Sequence, residues 1–235
     1  MKTLQQFLHL LAPRLALSIV IAFASSGAWA TDADSGMEQL RQFVRNSKTA
    51  EGDFVQQQLR APKANEPQDK GLKVVRQTQG HFAFQRPGRF VWDTQKPYEQ
   101  KLIADGKQLI LWDKDLNQAT FRPASQALAA TPAAILFGES SLDQHFELIE
   151  GDERLGMKWV ALTPKQSPSA KNGGDLPYTK IAIGMVNGLP KALELTDGLG
   201  AVVLVTLDKI VLNVNLPANR FTFIPPAGAE VLRLN

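Results

Sequence analysis

Few residues in this chain are typed and spaced for bond-making chemistry. Beyond residue 30 there are two histidines, His81 and His145. His81 alternates with Phe82 and Phe84 and is expected to face solvent; His145 is expected to end a short helix. Two such unrelated surface groups do not make an acid–base pair. The stretch Asp113-Lys114-Asp115-Leu116-Asn117 imitates the opening of a calcium loop. However, Gln118 stands where that loop needs glycine, and Ala124 where it needs a bidentate glutamate. It reads instead as a turn between strands. Gly198-Leu199-Gly200 lacks the third glycine and the following helix of a dinucleotide fingerprint. There is no GxSxG elbow and no phosphate-cradling P-loop. The absence of cysteine removes thiolate nucleophiles, Cys-ligated zinc, disulfides and an acylated cysteine anchor. No catalytic residue, metal or cofactor is expected.

The residue that does call for a chemical partner is Arg86. In Gly80-His81-Phe82-Ala83-Phe84-Gln85-Arg86-Pro87 the strand period of two puts Phe82, Phe84 and Arg86 on one face. A covered guanidinium needs acceptors for its five donors. The free carbonyls at the end of a short helix, such as those of Leu136 and Phe137, would serve. A strand-end arginine reaching solvent is the equal alternative on spacing alone. Further apolar residues share faces in the same way: Phe90 with Trp92, Leu102 with Ala104, and Ile110 with Trp112. Spacing does not separate a filled core from an apolar cavity.

The elements that would position these residues can be read from the rest of the chain. Residues 1–30 have the pattern of a secretory leader: Lys2 and Arg14 without an acid, the ten-residue apolar run 15–24, and Ala28-Trp29-Ala30 before the cut. Residues 31–235 then keep 24 of the 26 Lys and Arg against all 23 Asp and Glu, so bulk charge implies no nucleic-acid surface. With no later apolar run of 18 residues, and no cysteine, the expectation is a soluble periplasmic domain spanning 31–235. Residues 34–47 predict one amphipathic helix with Met37, Leu40, Phe43 and Val44 on a stripe and Ser35 or Asp34 as its cap. From there the period changes to two. Asp105-Gly106, Asn187-Gly188 and Asp197-Gly198 each stand between alternating runs and mark hairpins. About eleven strand-like runs can be counted. The pattern is interrupted at 122–145, where Thr131-Pro132 opens a short helix, Gly138 can stop it, and Ser140 or Ser141 can cap a second one. Residues 61–71 and 165–177 are polar loops. The fold class is mainly β: one antiparallel sheet large enough to curl into an incomplete barrel, with helices 34–47 and 131–145 packed on it.

Residues 80–120 also resemble the core signature of the periplasmic outer-membrane lipoprotein carriers (LolA). The signature runs Gly, apolar strand, Arg-Pro, an aromatic pair, Pro-Tyr and Gln, an Asp-Gly hairpin, an aromatic strand and Asp-x-Asp-Leu-x-Gln-Ala. Phe54-Val55-Gln56, Thr131-Pro132, Leu162-Thr163-Pro164-Lys165 and Phe221-Thr222-Phe223-Ile224-Pro225-Pro226 extend the likeness. The resemblance implies a half-open barrel of eleven antiparallel strands, with helices 34–47 and 131–145 as a lid over an apolar cavity. It implies a monomeric periplasmic chaperone, not an enzyme. Such a chaperone takes acylated lipoproteins from an inner-membrane ABC transporter and delivers them to an outer-membrane acceptor. Arg86 would lock the lid through the backbone of Leu136, Phe137 and Val44. Leu40, Val44, Phe82, Phe84, Phe90, Trp92 and Leu136 would line the acyl-binding cavity. Ala133-Ala134 stands where the family has bulkier residues, which implies looser lid packing. The readings that keep the fold but change the role are a periplasmic lipid or lipoprotein sensor and a glycolipid carrier.

Overall fold

The computed structural model describes residues 35–62, 64–65, 71–124, 132–137, 142–144, 146–165 and 178–234, all within the unit Thr31–Asn235. The expected leader 1–30 lies outside the described residues, as do Thr131, Gly138, Ser140, Ser141, His145 and the loop 166–177.

Helix α1 (Gly36–Asn46) starts at Ser35, whose side chain accepts from the Glu38 N–H at 3.1 Å. A second, long-range cap comes from Glu150, whose carboxylate accepts from the N–H of Gly36 at 2.6 Å and of Met37 at 2.9 Å. Two orphan donors of the first turn are thereby met by an anion at the positive end of the helix dipole. A Cβ on residue 36 would sit 2.9 Å from that carboxylate, so glycine is what allows the approach. The predicted stripe Leu40, Phe43 and Val44 is buried, and Gln39 on the same side accepts from the Gly188 N–H at 2.9 Å.

The remainder is one sheet. Its strands are β1 (Thr49–Arg60), β2 (Lys73–Gln85), β3 (Arg89–Lys96), β4 (Gln100–Asp105), β5 (Gln108–Asp113), β6 (Gln118–Pro123), β7 (Phe146–Arg154), β8 (Met157–Pro164), β9 (Tyr178–Val186), β10 (Leu189–Asp197), β11 (Val202–Leu212) and β12 (Glu230–Arg233). The order is β12-β6-β5-β4-β3-β2-β1-β11-β10-β9-β8-β7, with β7 and β12 as unjoined edges. The barrel is therefore incomplete, as expected. Eleven strands pair antiparallel, while the four-residue β12 adds itself parallel to β6. Helix α2 (Pro132–Phe137) and a 3-10 turn (Leu142–Gln144) interrupt the sheet where the alternation fails.

Turn chemistry follows the sequence at two of the three marked hairpins. Asn187 and Gly188 both take positive φ, and Asp105 accepts from the N–H groups of Lys107 and Gln108 at 2.7 Å. At the third, the connection is longer than a two-residue turn. Asp197 folds its carboxylate over the N–H groups of Leu199 and Ala201, at 2.8 and 2.9 Å, and the positive φ falls on Gly200 rather than Gly198. The calcium-loop lookalike is a turn: Asp113 accepts from the Leu116 N–H at 3.0 Å. Gly80 lets β3 pass close by, since a Cβ there would run into the Asp93 carbonyl, and the β2–β3 register shifts at Gln79/Gly80.

Each face of the sheet has its own core. On the outer face Ala83, Val91, Ile103, Ile110, Trp112, Ala119 and Phe121 pack under Phe221, flanked by Leu216, Phe223 and Ala229. The segment that supplies these covers leaves β11 through Asn213, whose N–H donates to the Thr49 carbonyl at 2.7 Å. It ends in β12, where Glu230 and Leu234 donate to the carbonyls of Asn117 and Phe121, both at 2.9 Å. The inner face carries the larger core and both helices.

Candidate functional site

Strand register arranges the inner face in rows. Phe84, Phe90, Ala104 and Leu109 oppose one another across β2 to β5, and Phe82, Trp92, Leu102 and Leu111 form the next row. Further along the strands the inward positions turn polar: Thr78 and Arg76 on β2, Gln56 and Gln58 on β1, Thr94 on β3. The concave face is thus aromatic at the end where the helices lie and mixed at the other.

Helix α2 closes the aromatic end. Phe137 lies flat against two rings at once, 4.9 Å from the Phe82 centroid and 4.8 Å from that of Phe84, with interplanar angles of 13° and 15°. Ile135, Leu136 and Phe137 are at most 1% exposed. Behind them Phe54 stacks on Trp92 at 3.7 Å, and Phe43 of α1 meets Phe84 edge-on at 6.1 Å.

Arg86 stands at the rim of this cluster. Its Nη2 donates to the Leu136 carbonyl at 2.7 Å, one of the orphan acceptors at the end of α2. Its guanidinium carbon lies 4.9 Å from the Phe84 ring centroid and 5.7 Å from that of Phe43, so the cation also rests on two aromatic faces. Its own N–H donates to the Lys48 carbonyl at 2.8 Å, which fixes the backbone from which the side chain reaches. The bond is charge-assisted and belongs to the stronger class.

The sequence-derived site residues come together. Leu40, Val44, Phe82, Phe84, Phe90, Trp92 and Leu136 all belong to one buried cluster. In this structure the cluster is filled, because Phe137 occupies the space that an empty apolar cavity would have. Open space adjoins the cluster as a cavity of about 350 Å³ that runs from Leu109 and Arg122, in the row of Phe84, past Trp92, Leu102 and Leu111 to the polar positions Thr78 and Arg76. Sequence reasoning did not single out Phe43, Phe54 and Ile135 as part of the cluster. Phe43 lay on the predicted helix stripe and Phe54 on the first predicted strand. Their convergence depends on how far the sheet curls. The side chains of Ala133 and Ala134 lie outside the described residues.

The outer-face ionisable groups stand apart from this cluster. His81 Nδ1 meets Asp53 Oδ1, and Lys209 Nζ pairs with the other Asp53 oxygen at 2.7 Å. The Lys209 hydrogen bond, helped by His81 and opposed by partial burial, holds the Asp53 carboxyl below its ordinary value. The His81 side chain is half exposed, as its alternation with Phe82 predicts. Among the described residues no group of three metal-ligating side chains occurs, and no helix is long and apolar enough to cross a membrane.

A family model described as "Outer membrane lipoprotein carrier protein LolA" matches residues 45–224. A protein of Ralstonia nicotianae named outer-membrane lipoprotein carrier protein is 43% identical over 210 residues, covering 89% of this chain and 93% of its own. One of the same name from Cupriavidus pinatubonensis is 42% identical over 196 residues, covering 83% and 86%. A crystal structure of an uncharacterized conserved protein from Thermus thermophilus superposes with a TM-score of 0.51 at 12% identity, over 84% of this chain and 96% of the other, a likeness of fold alone.

Proposed function

The chain belongs to the outer-membrane lipoprotein carrier family, and from that premise we propose that it is a periplasmic chaperone that carries lipoproteins by their acyl chains. It receives them from an inner-membrane ABC transporter and delivers them to an outer-membrane acceptor, after loss of a leader ending at Ala30. No covalent step is involved; the work is to hide apolar surface and then let it go. An exposed acyl chain costs about 0.8 kcal/mol per methylene, so a chain of about fifteen costs on the order of 12 kcal/mol in water.

The observation that carries this reading is the Phe137 plug held beside Arg86: the ring stacks on Phe82 and Phe84 while the Leu136 carbonyl accepts from the guanidinium. An acyl chain entering the cluster takes the place of Phe137 and leaves Phe82, Phe84, Phe90 and Trp92 covered by apolar matter as before. Opening therefore costs chiefly the Phe137 burial and the arginine bond, each about 1.5–3 kcal/mol, and cargo binding repays it. Leu40 and Val44 of α1 form the opposite wall, and Arg86, with the backbone of Leu136, Phe137 and Val44, acts as the lock. A lock of this strength biases α2 toward closure without making it permanent, so release at the acceptor stays possible.

Purification of the protein from the periplasm, followed by mass spectrometry of what accompanies it, tests the reading. Triacylated lipoprotein in stoichiometric amount is the expected result. A free lipid alone would replace the reading with a lipid carrier, and an empty protein that binds a membrane regulator would replace it with a sensor.

A further inference from the structure

The open part of the inner face is not lined like the aromatic cluster. The cavity has an apolar floor of Trp92, Leu102, Leu109 and Leu111, with Arg76 entering from β2 and Arg122 from β6. The rest of its described lining is Gln and Thr, and the carboxylate nearest to it, Asp113, accepts from the Gln100 side chain at 2.6 Å. Both arginines are exposed, and among the described residues neither has an ionic partner. Several basic side chains elsewhere on the sheet are paired: Lys101 with Asp93, Arg154 with Glu194, Lys191 with Asp208. The groove thus combines two arginines that have no ionic partner among the described residues with a continuous apolar surface.

A guanidinium pairs bidentately with carboxylate or phosphate, and its aliphatic stem can lie along a hydrocarbon chain. A volume of about 350 Å³ stands at the small end of ligand sites and suits one chain, not a cluster of them. This space exists with α2 in place, so its occupant need not displace Phe137. We propose that the groove binds a single-chain anionic amphiphile, its tail along the Trp92–Leu111 floor and its carboxylate or phosphate head drawn to Arg76 and Arg122. The inference rests on the carrier reading for the role of the apolar floor, and adds to it a second class of ligand held by the closed form.

Calorimetric titration of the purified protein with dodecanoate, monododecyl phosphate, a neutral dodecyl ether of ethylene glycol and dodecyltrimethylammonium, all below their critical micelle concentrations, tests the proposal. One or both anionic amphiphiles should bind one-to-one, about tenfold or more tighter than the neutral and cationic ones. Dodecanoate alone would name a fatty acid; the dodecyl phosphate alone would name a phospholipid-like ligand. The Arg76→Gln/Arg122→Gln double variant should lose the preference for anions, and Arg76→Lys/Arg122→Lys should keep most of it. Equal binding of the neutral amphiphile, an unchanged Gln double variant, or inorganic phosphate competing as well as dodecyl phosphate would overturn the proposal. The Gln double variant should still co-purify with lipoprotein. A wild-type protein that binds the anionic amphiphiles but no lipoprotein would sink the carrier reading and leave this one standing.

Discussion

On the outer face of the sheet, the segment around Phe221 and Phe223 is stitched down at both ends by backbone hydrogen bonds, to Thr49 before it and to Asn117 and Phe121 after it. On the inner face, α2 buries Phe137 just as deeply, yet it reaches the sheet through ring stacking and the Arg86 bond to Leu136. Both covers exclude water from aromatic cores of the same sheet. Among the described residues they differ in what must break to lift them: a parallel ladder and turn on one side, side-chain contacts on the other. Burial alone therefore does not rank the two covers by how readily they would lift; the kind of attachment is the sharper guide.

The same substitution on the two covers should separate them. Phe221→Ala should lower global stability by about 3–5 kcal/mol, read by denaturant unfolding, because the outer cover is part of the folded unit. Lipoprotein transfer per folded molecule should be unchanged. Phe137→Ala removes as much aromatic surface but should cost only about 1.5–3 kcal/mol in global unfolding, the burial given up without the cavity left behind, since α2 is expected to resettle or lift. If the two variants unfold at the same denaturant concentration, the covers are equivalent and the comparison fails.

Arg86→Leu acts on the inner cover alone. Loss of a charge-assisted bond worth about 1.5–3 kcal/mol should speed amide exchange of Ile135–Phe137 by roughly 10- to 100-fold, and impair release or reloading of lipoprotein. Exchange at wild-type rates would remove Arg86 from the lock. Smallest of all should be an effect of pH at the turn that follows β5. Hydrogen bonds from the Leu116 N–H and the Gln100 side chain, opposed by partial burial, hold the Asp113 carboxyl below its ordinary value. A lowered carboxyl contributes stability above its unfolded value, about pH 4, and loses it as pH falls through the folded value. Asp113→Ala should cost about 0.5 kcal/mol at pH 7 and nothing at pH 2, after allowance for solvent screening. An equal cost at both pH values would show that charge plays no part there.

Much of this molecule was legible in its residues, because the strongest signals are local. Alternation placed Phe82, Phe84 and Arg86 on one face, Ser35 started α1, and Asn187-Gly188 made its hairpin. The strand β12 gave no such signal. It is four residues long, it pairs in parallel with a strand more than a hundred residues earlier, and the Pro226–Ala229 turn before it does not disclose that partner. The loop after Asp197 departed from a two-residue turn because a carboxylate found two backbone donors, which the Asp-Gly dipeptide does not disclose. Parity also could not say whether the aromatic cluster holds space or substance. That depends on Phe137 arriving from a separate helix, and on a curl that brings Phe54 onto Trp92.

The two ends of the sheet bear on a hazard of handling greasy cargo. A long twisted sheet with bare margins is a template on which further chains can polymerise. Here β12, drawn from the chain's own C-terminal part, occupies one margin. The other, β7, displays Glu147, Glu150, Asp152 and Glu153 in exposed positions, and Glu150 is engaged in capping α1. A second copy approaching that margin would bring its own row of carboxylates against this one. The fold thus presents mutual repulsion along its longer margin, β7, and leaves only the four residues of β12 at the other.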